Sequence, residues 1–145
     1  MLKGPLQESL VSIRLVLADD HARFRASLSR LLAEQPDLEV AGQGRDAATA
    51  LSAVLECART GAPPVLLVDV EMPGGGGMAA TRAVLAACPQ VRVLALSMHD
   101  EVAFVDAMVA AGALGYSLKG DPLPELLHAI HEVAAGNRYR SPSLG

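Results

Sequence analysis

Apolar residues fall in short blocks along this chain, and the blocks alternate between two rhythms. Residues 13–18, IRLVLA, form a continuous run that stops at Asp19-Asp20, whereas from 21 to 34 Phe24, Leu28, Leu31 and Leu32 recur at helical spacing before Pro36. The first is a strand and the second a helix. Residues 38–41 predict a second strand, followed by Gly42 and Gly44, and Ala47, Ala50, Leu51, Val54, Leu55 and Ala58 stripe a second helix ended by Gly61-Ala62-Pro63-Pro64. Residues 65–68 predict a third strand, 78–87 a helix stopped by Cys88-Pro89, and 91–96 a fourth strand ending at Ser97. Asp100 is placed to N-cap a helix that runs through Ala111, with Gly112 beyond its end. Residues 114–118 predict a fifth strand ending at Lys119. Asp121-Pro122 reads as a cap followed by proline at the first helical position, and Leu123, Leu126, Leu127, Ile130 and Val133 stripe a last helix ending near Gly136.

Five strand–helix pairs in strict alternation predict an α/β fold, a doubly wound five-stranded parallel sheet with helices on both faces. The third strand is apolar at every position before its terminal acid, as a strand covered on both faces requires. In the fourth helix Val102, Val105 and Val109 are expected to face the sheet, leaving Phe104 and Met108 as an apolar partner surface. Residues 1–12 and 138–145 are expected to be poorly ordered ends.

At 145 residues the chain has room for one domain. Apolar content is 51% with 3% aromatic, so the core is built from Leu, Val, Ala and Met, as suits a layered α/β protein. A net charge of −4, with basic residues scattered, argues against a nucleic-acid surface on these residues. Cys57 and Cys88 lie far apart without ligand spacing and read as free thiols of a reducing cytosol. Neither a secretory segment nor a bilayer-spanning run is visible, so the expected location is cytoplasmic.

The chemistry collects at the strand ends. A parallel sheet brings its strand C-termini to one edge, where ligands bind. That edge would gather Asp19 and Asp20, Asp69, Ser97 and Lys119. Crowded carboxylates repel unless a cation joins them, and all-oxygen ligands suit Mg²⁺. One carboxylate is then free to act as nucleophile toward a phosphoryl group, with a lysine and a hydroxyl to receive its oxygens. Asp69 is the candidate nucleophile, because an acid closing the apolar run LLVD has few structural excuses. Four glycines at 74–77 follow it, permissive backbone where the chain must bend tightly beside the site.

These motifs resemble the receiver domain of a bacterial two-component response regulator, over about residues 12–136. The resemblance rests on ADDH at 18–21, D-x-x-M-P-G-x-x-G from Asp69 to Gly77, LALS at 94–97 and GYSLK at 115–119, and the wording is nearest the NarL/FixJ (LuxR-type) subfamily. It implies that Asp69 takes a phosphoryl group from a phosphohistidine of a sensor histidine kinase. It also implies Mg²⁺ held by Asp20, Asp69 and the backbone carbonyl of Glu71, with Asp19 acting through water. Lys119 would contact the phosphoryl group, and Ser97 and Tyr116 would be the switch pair. The receiver would span 13–137, and 138–145 would begin a linker to a C-terminal helix-turn-helix that binds DNA, for which roughly sixty further residues are needed. A stand-alone receiver is the alternative. Homodimerisation on phosphorylation and docking of the first helix, with Arg23 and Arg30, on the kinase are further implications. Two departures are the glycine run itself and Gly120-Asp121 after Lys119, where many receivers carry proline.

Competing readings are weaker. A turnover phosphatase of the haloacid dehalogenase type needs a D-x-D pair, and Asp69-Val70-Glu71 stands here instead. A flavin- or nucleotide-binding module wants a phosphate cradle after the first strand, where Asp19-Asp20 would repel phosphate. His128 and His131, one turn apart, read as a solvated face, and His21 and His99 flank the candidate site.

Overall fold

Leucine and β-branched runs too short for helices become strands in the computed structural model, which describes residues 12–144. They are β1 (Ile13–Ala18), β2 (Leu38–Gly44), β3 (Val65–Asp69), β4 (Arg92–Ser97), β5 (Gly115–Leu118) and β6 (Tyr139–Arg140). The intervening stripes become α1 (Ala22–Ala33), α2 (Ala47–Arg59), α3 (Gly76–Ala87), α4 (Val102–Ala111) and α5 (Leu123–Ala134). All strands pair in parallel in the order β2-β1-β3-β4-β5-β6. The winding therefore reverses between β1 and β3, which places their C-terminal ends side by side at the switch point.

Strand alternation divides the core into two layers. Leu15, Leu17, Leu67, Leu94 and Leu96 meet Leu28 and Leu32 of α1 and Leu126, Ile130 and Val133 of α5. Val16, Leu66, Val68, Val93 and Ala95 meet Val54 of α2, Val84 of α3 and Val105 and Met108 of α4. Because adjacent residues of each central strand point to opposite layers, the run must be apolar throughout.

Among the described residues the sheet has six strands, correcting the expected five. Tyr139 N–H donates to the Leu114 carbonyl at 3.1 Å and Ser141 N–H to the Tyr116 carbonyl at 3.0 Å, so the start of the expected linker extends the sheet beside β5. Ser141 Oγ donates to Asp121 Oδ2 at 2.7 Å, and Tyr139 OH donates to Glu125 Oε1 at 2.8 Å. Burial, and then Glu125, push the Tyr139 hydroxyl up to about 12. Two residues carry no legible period, so only the open edge of β5 reveals this strand. The disorder expected for residues 1–12 lies outside the described residues, apart from Ser12.

Other corrections concern element ends. β2 continues through Gly42 to Gly44, where a Cβ would lie 2.6 Å from the Ala50 backbone nitrogen, so the glycine lets α2 approach closely. Glu101 and not Asp100 is the N-cap of α4, and its side chain makes no cap bond. Asp121 is not a cap either: it accepts from Leu118 N–H at 3.2 Å and from Ser141. The face of α4 is also rotated from expectation. Met108 is 0% exposed and packs inward with Val105 and Ala111, Phe104 is half-buried, and Val102 and Val109 are 68% and 42% exposed. A helix apolar nearly all round leaves its buried face to the tertiary neighbours.

Candidate functional site

Each acidic or basic residue of the site follows from where a strand stops. β1 ends against the Gly44 carbonyl, which accepts from Asp19 N–H at 3.0 Å, and β3 ends at Asp69, whose successor Val70 donates to the Leu96 carbonyl at 3.2 Å. Lys119 N–H donates to the Ser97 carbonyl at 2.8 Å, tying the end of β5 to that of β4. The sheet thus aims three strand ends at one point.

There Lys119 Nζ lies 2.8 Å from Asp19 Oδ2 and 3.3 Å from Asp69 Oδ2, with the lysine side chain only 6% exposed. Asp19 and Asp69 are both buried, while Asp20 stands at the rim. Burial raises the Asp19 carboxyl, but the Lys119 ammonium and the His21 N–H outweigh it, and the net direction is down. Asp69 goes the other way. Burial, with the neighbouring Asp19 charge adding to it, raises its carboxyl against the Glu71 N–H and Lys119. One ammonium is shared by two buried carboxylates, and Asp19 has the shorter contact. Asp69 is left short of positive charge.

Glu71 N–H donates to Asp69 Oδ1 at 3.2 Å, which holds that backbone against the nucleophile candidate. Gly74, Gly75 and Gly76 have φ of 86°, 98° and 76°, so the run makes a left-handed turn into α3 and its last members belong to the helix. The helix expected from residue 78 therefore starts two residues earlier.

Ser97 Oγ accepts from His99 N–H at 2.9 Å, and Tyr116 OH donates to the His99 carbonyl at 2.7 Å. The Tyr116 ring is fully buried, and that burial is the main reason its hydroxyl pKa is raised. His99 stacks on Phe104 with ring centroids 4.2 Å apart and places Nε2 2.9 Å from Glu71 Oε2, bridging the two loops around Asp69.

All seven residues singled out from the sequence thus lie at or beside one edge. Two contributors were not singled out. Phe24 of α1 covers Lys119, Nζ standing 4.6 Å from the ring centroid, and Arg25 Nη1 donates to the Asp19 carbonyl at 2.5 Å. Their signal is position, one turn after the acid pair. His131 is committed to Asp37 at 2.5 Å, and His128 sits edge-on to Tyr139.

The donor set fits a divalent cation. Atoms of Asp19, Asp20, His21 and Asp69 all lie within 4.8 Å of one another, and buried Asp69 Oδ2 takes no hydrogen bond among the described residues. A cation would relieve both the repulsion and the orphaned oxygen.

A doubly wound α/β protein with carboxylates and a lysine at its switch point is a narrow class. The response regulator receiver domain pattern matches residues 15–131. The chain is 40% identical over 132 residues to response regulator GacA of Pseudomonas viridiflava, covering 91% of this chain and 60% of that protein. It is 37% identical over 132 residues to the transcriptional regulatory protein DegU of Brevibacillus brevis, covering 91% and 54%. Among solved structures, a LuxR-family two-component response regulator from Aurantimonas sp. SI85-9A1 superposes with a TM-score of 0.82 at 33% identity, covering 92% of each chain. The receiver domain of the putative response regulator NarL from Mycobacterium tuberculosis gives 0.76 at 35% identity, covering 88% of this chain and 99% of that one. The chain belongs to the response regulator receiver domain family, and its relatives are of the NarL/FixJ (LuxR) type. It spans about 60% of the length of the GacA relatives it matches. No helix among the described residues is long and apolar enough to cross a membrane.

Proposed function

We propose that this domain is a phosphorylation switch in which Asp69 accepts a phosphoryl group from a phosphohistidine of a sensor histidine kinase. An Asp69 carboxylate oxygen attacks phosphorus, the P–N bond breaks as the P–O bond forms, and the imidazole leaves with the electron pair. The carrying observation is the shared ammonium: Lys119 sits 2.8 Å from Asp19 and 3.3 Å from Asp69, and Asp69 Oδ2 takes no hydrogen bond among the described residues. Lys119 is thereby in reach of an oxygen of a phosphoryl group on Asp69.

Asp20, Asp69 and the Glu71 carbonyl would hold Mg²⁺, with Asp19 acting through water. When bound, the ion neutralises the crowded carboxylates and the phosphoryl oxygens. Ser97 would turn its hydroxyl from the His99 N–H to the phosphoryl group. Tyr116 is already inward in this structure, so the event to be read out is the locking of Ser97, His99 and Tyr116 together. The domain does not turn over a substrate; it promotes its own phosphorylation and dephosphorylation.

The wider reading is a cytoplasmic signalling protein that dimerises when phosphorylated and acts on DNA through a C-terminal domain outside these residues. Its transcriptional part is supported by the names of relatives, a transcriptional regulatory protein and a LuxR-family two-component response regulator. A stand-alone receiver is the alternative. The receiver is proposed to span 13–137, with 138–145 beginning the linker; β6 and Ser141, bonded alongside β5, support a linker whose first residues are held against the sheet.

The test is intact mass after incubation with Mg²⁺ and acetyl phosphate or phosphoramidate, beside Asp69→Ala. One alkali-labile phosphoryl group, dependent on Mg²⁺ and absent from the variant, is expected. Equal labelling of Asp69→Ala would refute the assignment.

A further inference from the structure

The acid pair that follows β1 is succeeded at once by His21, whose ring turns back over the carboxylates. His21 Nδ1 lies 3.1 Å from Asp19 Oδ1, 3.4 Å from Asp20 Oδ1 and 3.7 Å from Asp69 Oδ2. Two ligands at right angles on an ion with bonds of about 2.1 Å are about 3 Å apart. The nitrogen thus stands 3.4–3.7 Å from the two carboxylates that would hold the ion, near the spacing of an adjacent ligand, and at hydrogen-bond distance from Asp19.

The local fold explains how it is held. His21 is the N-cap of α1, with an extended backbone (φ −86°, ψ 96°), and its side chain makes no cap bond. Its backbone N–H donates to Asp19 Oδ1 at 2.8 Å, anchoring the residue to the cluster independently of the ring. The ring is 64% exposed, so little must move for it to meet an ion arriving from solvent. Asp69 Oδ2 is buried and takes no hydrogen bond among the described residues; on the inner side it has only the Lys119 ammonium at 3.3 Å, which it shares with Asp19.

Resting on the cation site of the proposed function, we infer that His21 Nδ1 is a further protein ligand there. It makes the cluster a mixed nitrogen–oxygen site that gains affinity for first-row transition ions such as Mn²⁺ and Co²⁺. An imidazole ligand favours those ions over Mg²⁺, Co²⁺ more than Mn²⁺ in the usual order of divalent affinities, whereas Mg²⁺ favours oxygen and keeps its waters, so the gain is selective. The chemical consequence is a receiver that loads with a transition ion where Mg²⁺ alone would otherwise serve.

The tag-free chain and His21→Ala are titrated calorimetrically with Mg²⁺, Mn²⁺ and Co²⁺, and the Mn²⁺ forms are examined by pulsed EPR for ¹⁴N coupling. Wild type is expected to show ¹⁴N coupling that His21→Ala lacks. The variant should lose at least about tenfold in Co²⁺ affinity, less in Mn²⁺ affinity and least in Mg²⁺ affinity. Thermal unfolding checks that the variant is folded, as an exposed ring predicts. Mn²⁺ binding without ¹⁴N coupling, or with equal affinity in the variant, overturns the inference and leaves the cation site intact. Failure of wild type to bind any of the three ions overturns both.

Discussion

Gly77→Ala tests whether the glycine run is there for close approach. Gly77 is a buried residue of α3 with an ordinary φ, so alanine is allowed by the backbone and on helix propensity alone would gain about 1 kcal/mol. The obstacle is β3. A Cβ at this position would lie 2.5 Å from the Asp69 carbonyl oxygen, 3.0 Å from Val70 Cα and 3.2 Å from the Asp69 carbonyl carbon, all backbone atoms that cannot rotate aside. α3 must retreat by about half an ångström or more, against the close packing of Ala80, Thr81 and Val84. Overpacking of this kind costs about 1–3 kcal/mol, so after the helix-propensity gain a net loss of up to about 2 kcal/mol remains. The same displacement pushes on Asp69 and Val70, and so weakens cation binding and phosphorylation. Gly74→Ala is the control: its φ of 86° also costs about 1 kcal/mol, but its Cβ meets nothing nearer than 3.6 Å. Urea unfolding and Mg²⁺ titration of both variants separate the effects. Stability lost in both, with cation affinity lost only in Gly77→Ala, is the expected pattern. A Gly77→Ala chain as stable and as avid as wild type would refute the close-approach argument.

Two further outcomes follow from other parts of the fold. Met108→Ala should lose about 2–4 kcal/mol in urea unfolding, because the side chain is fully buried, while Val102→Ala should stay within about 0.5 kcal/mol; similar losses would mean that α4 presents the other face. The Leu127 carbonyl, and with it Asp37, raise the His131 pKa against the penalty of burial, so the bridge between α5 and the loop before β2 stabilises at acid pH and fades as pH rises through that raised value. With both partners nearly half exposed the effect is below about 1 kcal/mol, and His131→Gln should destabilise at pH 6 and not at pH 9; an equal deficit at both would exclude the charge.

Much of this protein is local in origin and so was legible without coordinates. Strand and helix periods, the stops at Gly, Pro and Asp, and the acids closing IRLVLA and LLVD are properties of neighbouring residues, and the parallel alternation that follows sends those acids to one edge. The same reasoning found Asp19, Asp69, Ser97 and Lys119 as a set. It could not phase α4, since a helix apolar nearly all round has no preferred face until α3 and β5 are in place. Nor could it see β6, whose two residues are a strand only because β5 has an open edge. The division of one ammonium between Asp19 and Asp69, the cover of Lys119 by Phe24 and the turn of His21 over three carboxylates join residues from separate elements. Their distances are set by the pairing of the strands and by the packing of α1 on the sheet, which no single segment encodes.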